Sequence, residues 1–256
     1  MQEFSSDGVR LAYVDYAAEG LDLGQPILLI HGFASNHGVN WLFPQWVKTL
    51  TKAGRRTIVF DNRGHGRSDK LYNPDQYTPW IMARDATNLL DHLNIDRADV
   101  MGYSMGARIA AHLAITAPSR LRGLVFGGLG VHLVDGAGLP IGIADAMEAE
   151  SLASLTDPMQ RMFRAFAEAT KSDLRALAAC MRGSRHAMSE AEVGSIAAPT
   201  LVCVGSEDDV AGDATGLVKL MPNAVALVIP GRDHNRAVGD KVYKQGVLAF
   251  LADLPA

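Results

Sequence analysis

Gly102-Tyr-Ser-Met-Gly106 follows the apolar pair Val100-Met101 and leads into an alanine-rich stretch with helical patterning, Ala107 to Thr116. Strand, sharp turn and helix in that order are what a G-x-S-x-G elbow requires. The glycines relieve crowding in a turn too tight for side chains, so the hydroxyl of Ser104 is pushed into the open. The helix start behind the serine offers unpaired backbone N–H groups and a partial positive charge. Ser104 is the candidate nucleophile, and the surrounding sequence is read for the partners it needs.

Outward from the elbow, short compact apolar runs recur at Ile27–Ile30, Thr57–Phe60, Ala98–Met101, Leu124–Phe126, Thr200–Val204 and Ala224–Ile229. Runs of this length read as strands buried on both faces. Val9 to Tyr16 instead alternates, with Val9, Leu11 and Tyr13 against Arg10 and Ala12, and reads as a half-exposed antiparallel strand. Helices are expected at 40–53, 78–93, 105–116, 213–221 and 237–252. Strands spaced by helices suit a mostly parallel sheet covered on both sides, an α/β class.

Residues 132–192 interrupt that rhythm. They carry no convincing strand and begin after a glycine-rich approach, Gly127, Gly128, Gly130, Gly136 and Gly138. Asp157-Pro158 signals a helix start, a capping side chain followed by proline at the first helical position. Met159, Met162, Phe163 and Phe166 then share one helical face, and Ser172 is expected to cap a further helix running through Met181. These features predict a helical cap, residues 132–192, inserted into a core made of 1–131 and 193–256. Five of the ten methionines fall between 132 and 190, where they either line a pocket or fill gaps between cap and core. Met159, Met162, Phe163 and Phe166 are candidate substrate-pocket residues.

A serine hydroxyl needs a base to take its proton. Of eight histidines, His234 in Gly231-Arg-Asp-His234 follows a strand and precedes the final helix, which places it at the carboxyl edge of the sheet with Ser104. His31 and His65 are embedded in glycine turns, His92 and His112 in helices, and His132 and His186 in the cap region, while His37 sits in a loop without a distinguishing partner. The base in turn needs an acid to hold its tautomer. Val204-Gly-Ser-Glu-Asp-Asp209 follows a strand, and Asp208 is the first choice there with Asp209 the runner-up. Two backbone donors should face the developing oxyanion. These are expected to be the N–H of Met105, directly after the nucleophile, and the N–H of Phe33 in His31-Gly-Phe33. Gly32 lets the chain approach closely, and the side chains of Phe33 and Met105 should also line the acyl pocket.

Composition narrows the function classes. The chain has 256 residues with a net charge of −4, 48% hydrophobic and 20% charged residues, so disorder and fibrous structure are excluded. An acidic balance offers no electrostatic footprint for nucleic acid. Apolar runs such as Ile27–Ile30 fall far short of the roughly 18 residues that span a bilayer. The opening Met-Gln-Glu-Phe-Ser-Ser-Asp-Gly lacks a basic start and an apolar stretch, so a cytoplasmic protein is expected. Two cysteines, Cys180 and Cys203, make neither a disulfide framework nor a zinc site alone.

H-G-F at 31–33, D-N-R-G-H-G-R-S-D at 61–69, G-Y-S-M-G at 102–106, G-S-E-D at 205–208 and G-R-D-H at 231–234 together resemble the α/β-hydrolase superfamily. The motifs run from residue 31 to 234 in the family's order, with Ser104, Asp208 and His234 in the order of its triad. The resemblance implies an eight-stranded, mostly parallel sheet with a helical cap after strand six. It also implies that Asp61, Arg63, His65 and Arg67 hold a structural turn.

A serine rather than an aspartate at the elbow argues against the dehalogenase and epoxide hydrolase branches. An acyl-enzyme is expected, with no metal and no organic cofactor, on a small or medium ester or lactone. The sequence resembles small bacterial esterases and enol-lactonases in this respect. Met101 to Arg108, M-G-Y-S-M-G-A-R, is also similar to the elbow of the menaquinone-pathway synthase, where arginines bind carboxylates. Arg108 has that role or lies on the exposed side of its helix. Arg161, Arg164, Lys171, Arg175, Arg182 and Arg185 either serve an anionic substrate or form a solvated cap face. Carbon–carbon bond hydrolases and cofactor-free perhydrolases share much of the pattern. A ligand sensor that keeps the triad is the reading from another class, its cap then serving as a partner surface. The physiological substrate and the oligomeric state are left open by the sequence.

Overall fold

The computed structural model describes residues 1–135, 140 and 142–255. Gly136 and Gly138 of the glycine-rich approach lie outside them. One sheet contains β1 (Gln2–Ser6), β2 (Val9–Tyr16), β3 (Ile27–Ile30), β4 (Thr57–Phe60), β5 (Ala98–Tyr103), β6 (Leu121–Gly127), β7 (Thr200–Gly205) and β8 (Ala224–Ile229). Their order is β1-β2-β4-β3-β5-β6-β7-β8. Strand β2 is antiparallel to both neighbours, and every other pairing is parallel.

Strand β1 was not foreseen, because Gln-Glu-Phe-Ser-Ser carries a single apolar residue. Phe4 and Ser6 point inward, and the buried Ser6 hydroxyl is satisfied by donating to Asp85 at 2.6 Å. That carboxylate also receives two bonds of 2.7 Å from Arg63, which ties β1 to the turn after β4. A buried serine with strong partners is as acceptable as an apolar residue, and sequence patterning does not detect it.

The helices are α1 (Trp46–Lys52), α2 (Pro79–His92), α3 (Met105–Thr116), α4 (Gly142–Glu148), α5 (Pro158–Ala169), α6 (Leu174–Gly183), α7 (Glu190–Gly194), α8 (Ala214–Val218), α9 (His234–Ala237) and α10 (Lys241–Asp253). The expected helix over 40–53 is two pieces, a π turn at Gly38–Leu42 and then α1. Gln45 at φ +67° breaks it, and the break lets both Trp41 and Trp46 be fully buried. A continuous helix would turn residues five apart about 140° away from each other. The final helix likewise starts later than expected, at Lys241, where the Asp240 side chain caps it by accepting from Val242 N at 2.7 Å.

Between β6 and β7 the described residues form helices and turns only. Asp157 caps α5 as expected, accepting from Gln160 N at 2.8 Å. The cap of α6 is Asp173, not Ser172. The Ser172 hydroxyl is engaged with Thr170 at 2.9 Å instead. Among the described residues, no helix is long and apolar enough to cross a membrane.

Alternate residues of the central strands feed two apolar layers. Leu28, Ile30, Phe126 and Val202 face α2, α3 and the inserted helices, whereas Ile27, Leu29, Val125 and Leu201 face α1 and α10. The chain leaves β3 for β4 on one side and returns to β5 on the other. That reversal opens a crevice at the carboxyl ends of β3 and β5, the usual place for a ligand in such sheets. Helix α3 packs so closely there that a Cβ at Gly106 would collide with the Ile30 carbonyl.

Gly106→Ala tests this packing with opposed effects. Alanine would gain about 1 kcal/mol of helix propensity, but overpacking against backbone costs roughly 1–3 kcal/mol or more. A net loss of stability is expected from urea unfolding midpoints; a gain would show that the contact is looser than described.

Candidate active site

Ser104 joins β5 to α3 with φ +55° and ψ −114°, a conformation that non-glycine residues rarely adopt. Its N–H donates to the Gly127 carbonyl at 2.7 Å, which fastens the elbow to β6. A Cβ on Gly102 would strike the backbone of Gly106 and Ala107. The sharpness of the turn is therefore built from Gly102 and Gly106, as the spacing predicts.

Three separate connections at the carboxyl ends of β5, β7 and β8 deliver Ser104, Asp208 and His234 to one point. His234 Nε2 lies 3.1 Å from Ser104 Oγ, and His234 Nδ1 lies 2.9 Å from each Asp208 oxygen. The carboxylate can only accept, so Nδ1 carries the proton and bare Nε2 faces the serine. Asp208 is buried and also accepts from Val210 N and Ala211 N at 3.1 and 3.0 Å. Its neighbour Asp209 is exposed. Tyr103 adds a support that the sequence did not reveal. Its hydroxyl donates to the His234 carbonyl at 2.5 Å, and its ring centroid lies 5.5 Å from the imidazole. Burial raises the Tyr103 phenol well above its ordinary value, so it remains a donor.

The loop after β3 shows how one N–H is left available. Gly32 N–H donates to Asn40 Oδ1 at 2.9 Å and Ala34 N–H to His65 Nε2 at 3.2 Å. Among the described residues, the Phe33 N–H between them and the Met105 N–H after Ser104 have no acceptor within the chain. Asn40 escaped the sequence reading, since nothing local announces an amide eight residues away as the partner of Gly32. A Cβ on Gly32 would lie 3.2 Å from the Tyr103 carbonyl and 3.5 Å from Ser104 Cβ, a close approach with little spare room.

Beneath this loop sits a buried polar layer. His31 Nε2 accepts from Asn62 N at 3.0 Å while Nδ1 meets the Gly32 carbonyl at 2.8 Å. His65 Nδ1 meets the Arg63 carbonyl at 2.9 Å. Burial lowers His31 to about 4 and His65 to about 3, so both are neutral near pH 7. Burial alone would raise Asp61, but hydrogen bonds from the His37 ring and backbone N–H hold its carboxyl well below the usual range. It also accepts from Arg67 N at 2.8 Å.

Two cavities meet at Ser104 and Phe33. One, of about 150 Å³, runs past Met105, Arg108, Leu129, Met181, Arg185 and His186. The other, of about 290 Å³, runs past Asn40, Tyr103, Phe163, Phe166, His234 and Val238. Of the candidate pocket residues, Phe33, Met105, Phe163 and Phe166 line these spaces. Met159 and Met162 do not. Met159, one turn before Phe163, packs against the main apolar cluster, and Met162 is 41% exposed. The shared helical face is broad enough that only two of its four residues reach the cavity.

Arg108 is not on an exposed surface. It donates to the carbonyls of His132 at 2.8 Å, His186 at 3.1 Å and Leu133 at 3.3 Å, and burial lowers it to about 10. Helix α3 thus ties residues 132, 133 and 186 of the β6–β7 connection together. Arg164, read as part of a solvated face, is buried and donates to Glu168 at 2.7 Å and to the Ala146 carbonyl at 2.8 Å. Arg182 pairs with Glu148 at 2.8 Å, and Arg175 stacks over Tyr72 at 4.8 Å. Cys180 and Cys203 are buried free thiols. No group of three or more metal-ligating side chains occurs among the described residues.

A crevice at the strand reversal, a strained serine at a helix start and a histidine beside it define a class of enzyme scaffold. The profile of the alpha/beta hydrolase fold matches residues 25–179, and the chain belongs to that family. A Bacillus subtilis (strain 168) protein named as a candidate 2-succinyl-6-hydroxy-2,4-cyclohexadiene-1-carboxylate synthase is 33% identical over 47% of this chain and 41% of its own length. The first curated relatives are matched over less than half of their own length, between 31% and 43%. Among solved structures, a hydrolase from Pseudomonas aeruginosa PA01 superposes with a TM-score of 0.79 at 26% identity, covering 98% of this chain and 97% of that one. An N-acyl homoserine lactone degrading enzyme gives 0.74 at 26% identity, covering 97% and 99%.

His31 and His65, like the buried His112, make stability depend on acidity. Their folded values lie below the ordinary 6.5, so from about pH 6.5 down to about 4 the unfolded chain binds more protons and stability falls with pH. Each adds a slope of up to about 1.4 kcal/mol per pH unit. His65→Gln is expected to lower stability at pH 7 yet flatten that slope by about one proton. Urea midpoints measured at pH 7 and pH 5 decide it; an unchanged slope would contradict the buried neutral imidazole.

Proposed function

We propose that this chain is a serine hydrolase that cleaves a small or medium carboxylic ester or lactone through an acyl-enzyme, with residues 132–192 as its cap. The observation that carries the reading is the unbroken relay from Asp208 through His234 to Ser104, with contacts of 2.9 and 3.1 Å. Ser104 attacks the carbonyl while His234 takes its proton, and Asp208 stabilises the imidazolium. The N–H groups of Phe33 and Met105 receive the oxyanion. His234 then protonates the leaving oxygen, and water repeats the sequence with His234 as base. Because the acid must reach the leaving oxygen, the leaving half lies in the cavity that contains His234, and the acyl half lies in the other. The 26% identity to a lactone-degrading enzyme supports including lactones.

Initial rates on p-nitrophenyl esters from acetyl to dodecanoyl test this. Ser104→Ala is expected to lower kcat by about 10⁴-fold or more, and Asp208→Asn by a similar order. Turnover that survives Ser104→Ala would remove the acyl-enzyme reading.

One observation favours a narrower class, an anionic substrate, for either ester cleavage or a triad-driven synthase reaction. Arg108 lines the acyl-side cavity, its three hydrogen-bond acceptors are neutral carbonyls, and the nearby Asp135 carboxylate favours its charged form. The candidate synthase relative, whose named product is a carboxylate, supports this. Arg108→Met is expected to lower kcat/KM for a succinate half-ester by about 10–100-fold more than for the matched neutral butyrate ester. Equal losses on both would leave Arg108 as a structural tie only.

A further inference from the structure

The Phe33 N–H sits inside a tight turn closed by Ser35 N–H to the Gly32 carbonyl at 3.3 Å. The residue after Phe33 in that turn is Ala34, at φ +56°. Glycine or asparagine normally fills such a position, because an L side chain there crowds its own carbonyl. Alanine has no polar group of its own to compensate, so its conformation depends on what holds its two backbone groups. Its N–H is held by His65 from the core, and its carbonyl accepts from Thr170 Oγ1 at 2.9 Å.

Thr170 closes helix α5, which belongs to the inserted segment and not to the core. Its hydroxyl also lies 3.0 Å from the Ala167 carbonyl and 2.9 Å from Ser172 Oγ. Ser172 can donate to Thr170, which leaves the single Thr170 proton for the two carbonyls. Seven residues earlier on the same helix, Phe163 meets Phe33 with ring centroids 6.2 Å apart. Helix α5 therefore touches the turn at two successive residues, one by packing and one by a hydrogen bond to a strained carbonyl.

We infer that α5 completes the oxyanion hole, with Thr170 as the positioning residue that holds Ala34 at positive φ and so aims the Phe33 N–H. This rests on the reading of Phe33 N–H as an oxyanion donor. When α5 lies on the core, the turn is braced from both sides. When α5 lifts, Ala34 keeps only the His65 bond, and its backbone relaxes toward negative φ. Cap closure and catalytic competence are then one event, and an uncapped enzyme binds ester but turns it over slowly.

The test compares kcat and KM on the best p-nitrophenyl ester for the whole enzyme carrying Thr170→Val, Thr170→Ser, Ala34→Gly and the Ala34→Gly/Thr170→Val pair. Thr170→Val removes the hydroxyl at nearly constant shape and is expected to lower kcat about 10-fold with KM within about 2-fold, less than the roughly 100-fold or more from losing an oxyanion donor outright. Thr170→Ser should restore kcat to within about 2-fold, because the donor returns. In the Ala34→Gly background, Thr170→Val should cost under about 3-fold, since glycine holds positive φ unaided. Unchanged kcat in Thr170→Val, an effect confined to KM, or equal losses in the alanine and glycine backgrounds would each overturn the inference. The glycine-background pair decides the matter even where Thr170→Val alone is poorly folded. Ser104→Ala runs alongside, so failure of the acyl-enzyme reading is seen separately.

Discussion

Position 106 has room for a hydrogen atom and nothing larger, because α3 lies directly against the Ile30 carbonyl at the end of β3. That contact fixes where α3 can begin, and with Gly102 it forces Ser104 into its positive-φ conformation. It also brings the elbow beside the loop after β3, so Ser104 and the Phe33 N–H share one crevice. Strain at a single residue survives because packing around it over-determines the turn. The consequence is a hydroxyl with little freedom to wander, which is what an oriented nucleophile requires.

The other groups reach Ser104 from strands that follow in the same direction. The turn after β7 carries Asp208, His234 opens α9 after β8, and Tyr103 reaches back from the elbow to hold the His234 carbonyl. Below the crevice, His31 and His65 act as neutral acceptors for backbone N–H groups. In a water-poor layer a neutral imidazole that accepts at Nε2 and donates at Nδ1 is satisfied at both ends, whereas an imidazolium there would lose one bond and stay desolvated. Stability of the loop and the placement of its Phe33 N–H thus rest on the same uncharged groups.

Much of this was legible in the sequence because the relevant residues sit directly after compact apolar runs. Ser104 follows Val100-Met101, Asp208 follows Thr200–Val204 and His234 follows Ala224–Ile229, so strand direction alone puts them at one edge. Other features depend on contacts between distant segments. Asn40 serves Gly32, Arg108 reaches the carbonyls at 132, 133 and 186, and Thr170 reaches Ala34, none of which has a local pattern. Periodicity placed Met159, Met162, Phe163 and Phe166 on one face, but it does not say how a helix tilts against a cavity, and only the phenylalanines reach it. The helix expected at 40–53 was interrupted for a packing reason, the burial of two tryptophans, that propensity does not register.

The central claim is that Ser104 is an activated nucleophile beside an oxyanion site, and covalent labelling tests it without assuming a substrate. An alkyl fluorophosphonate requires both an activated serine and donors for the phosphoryl oxygen. Intact mass followed by peptide mapping should show one adduct per chain, on the peptide carrying Ser104, and none after unfolding in urea. Labelling that fails on the folded protein, or that falls on another residue and persists in Ser104→Ala, would contradict the account.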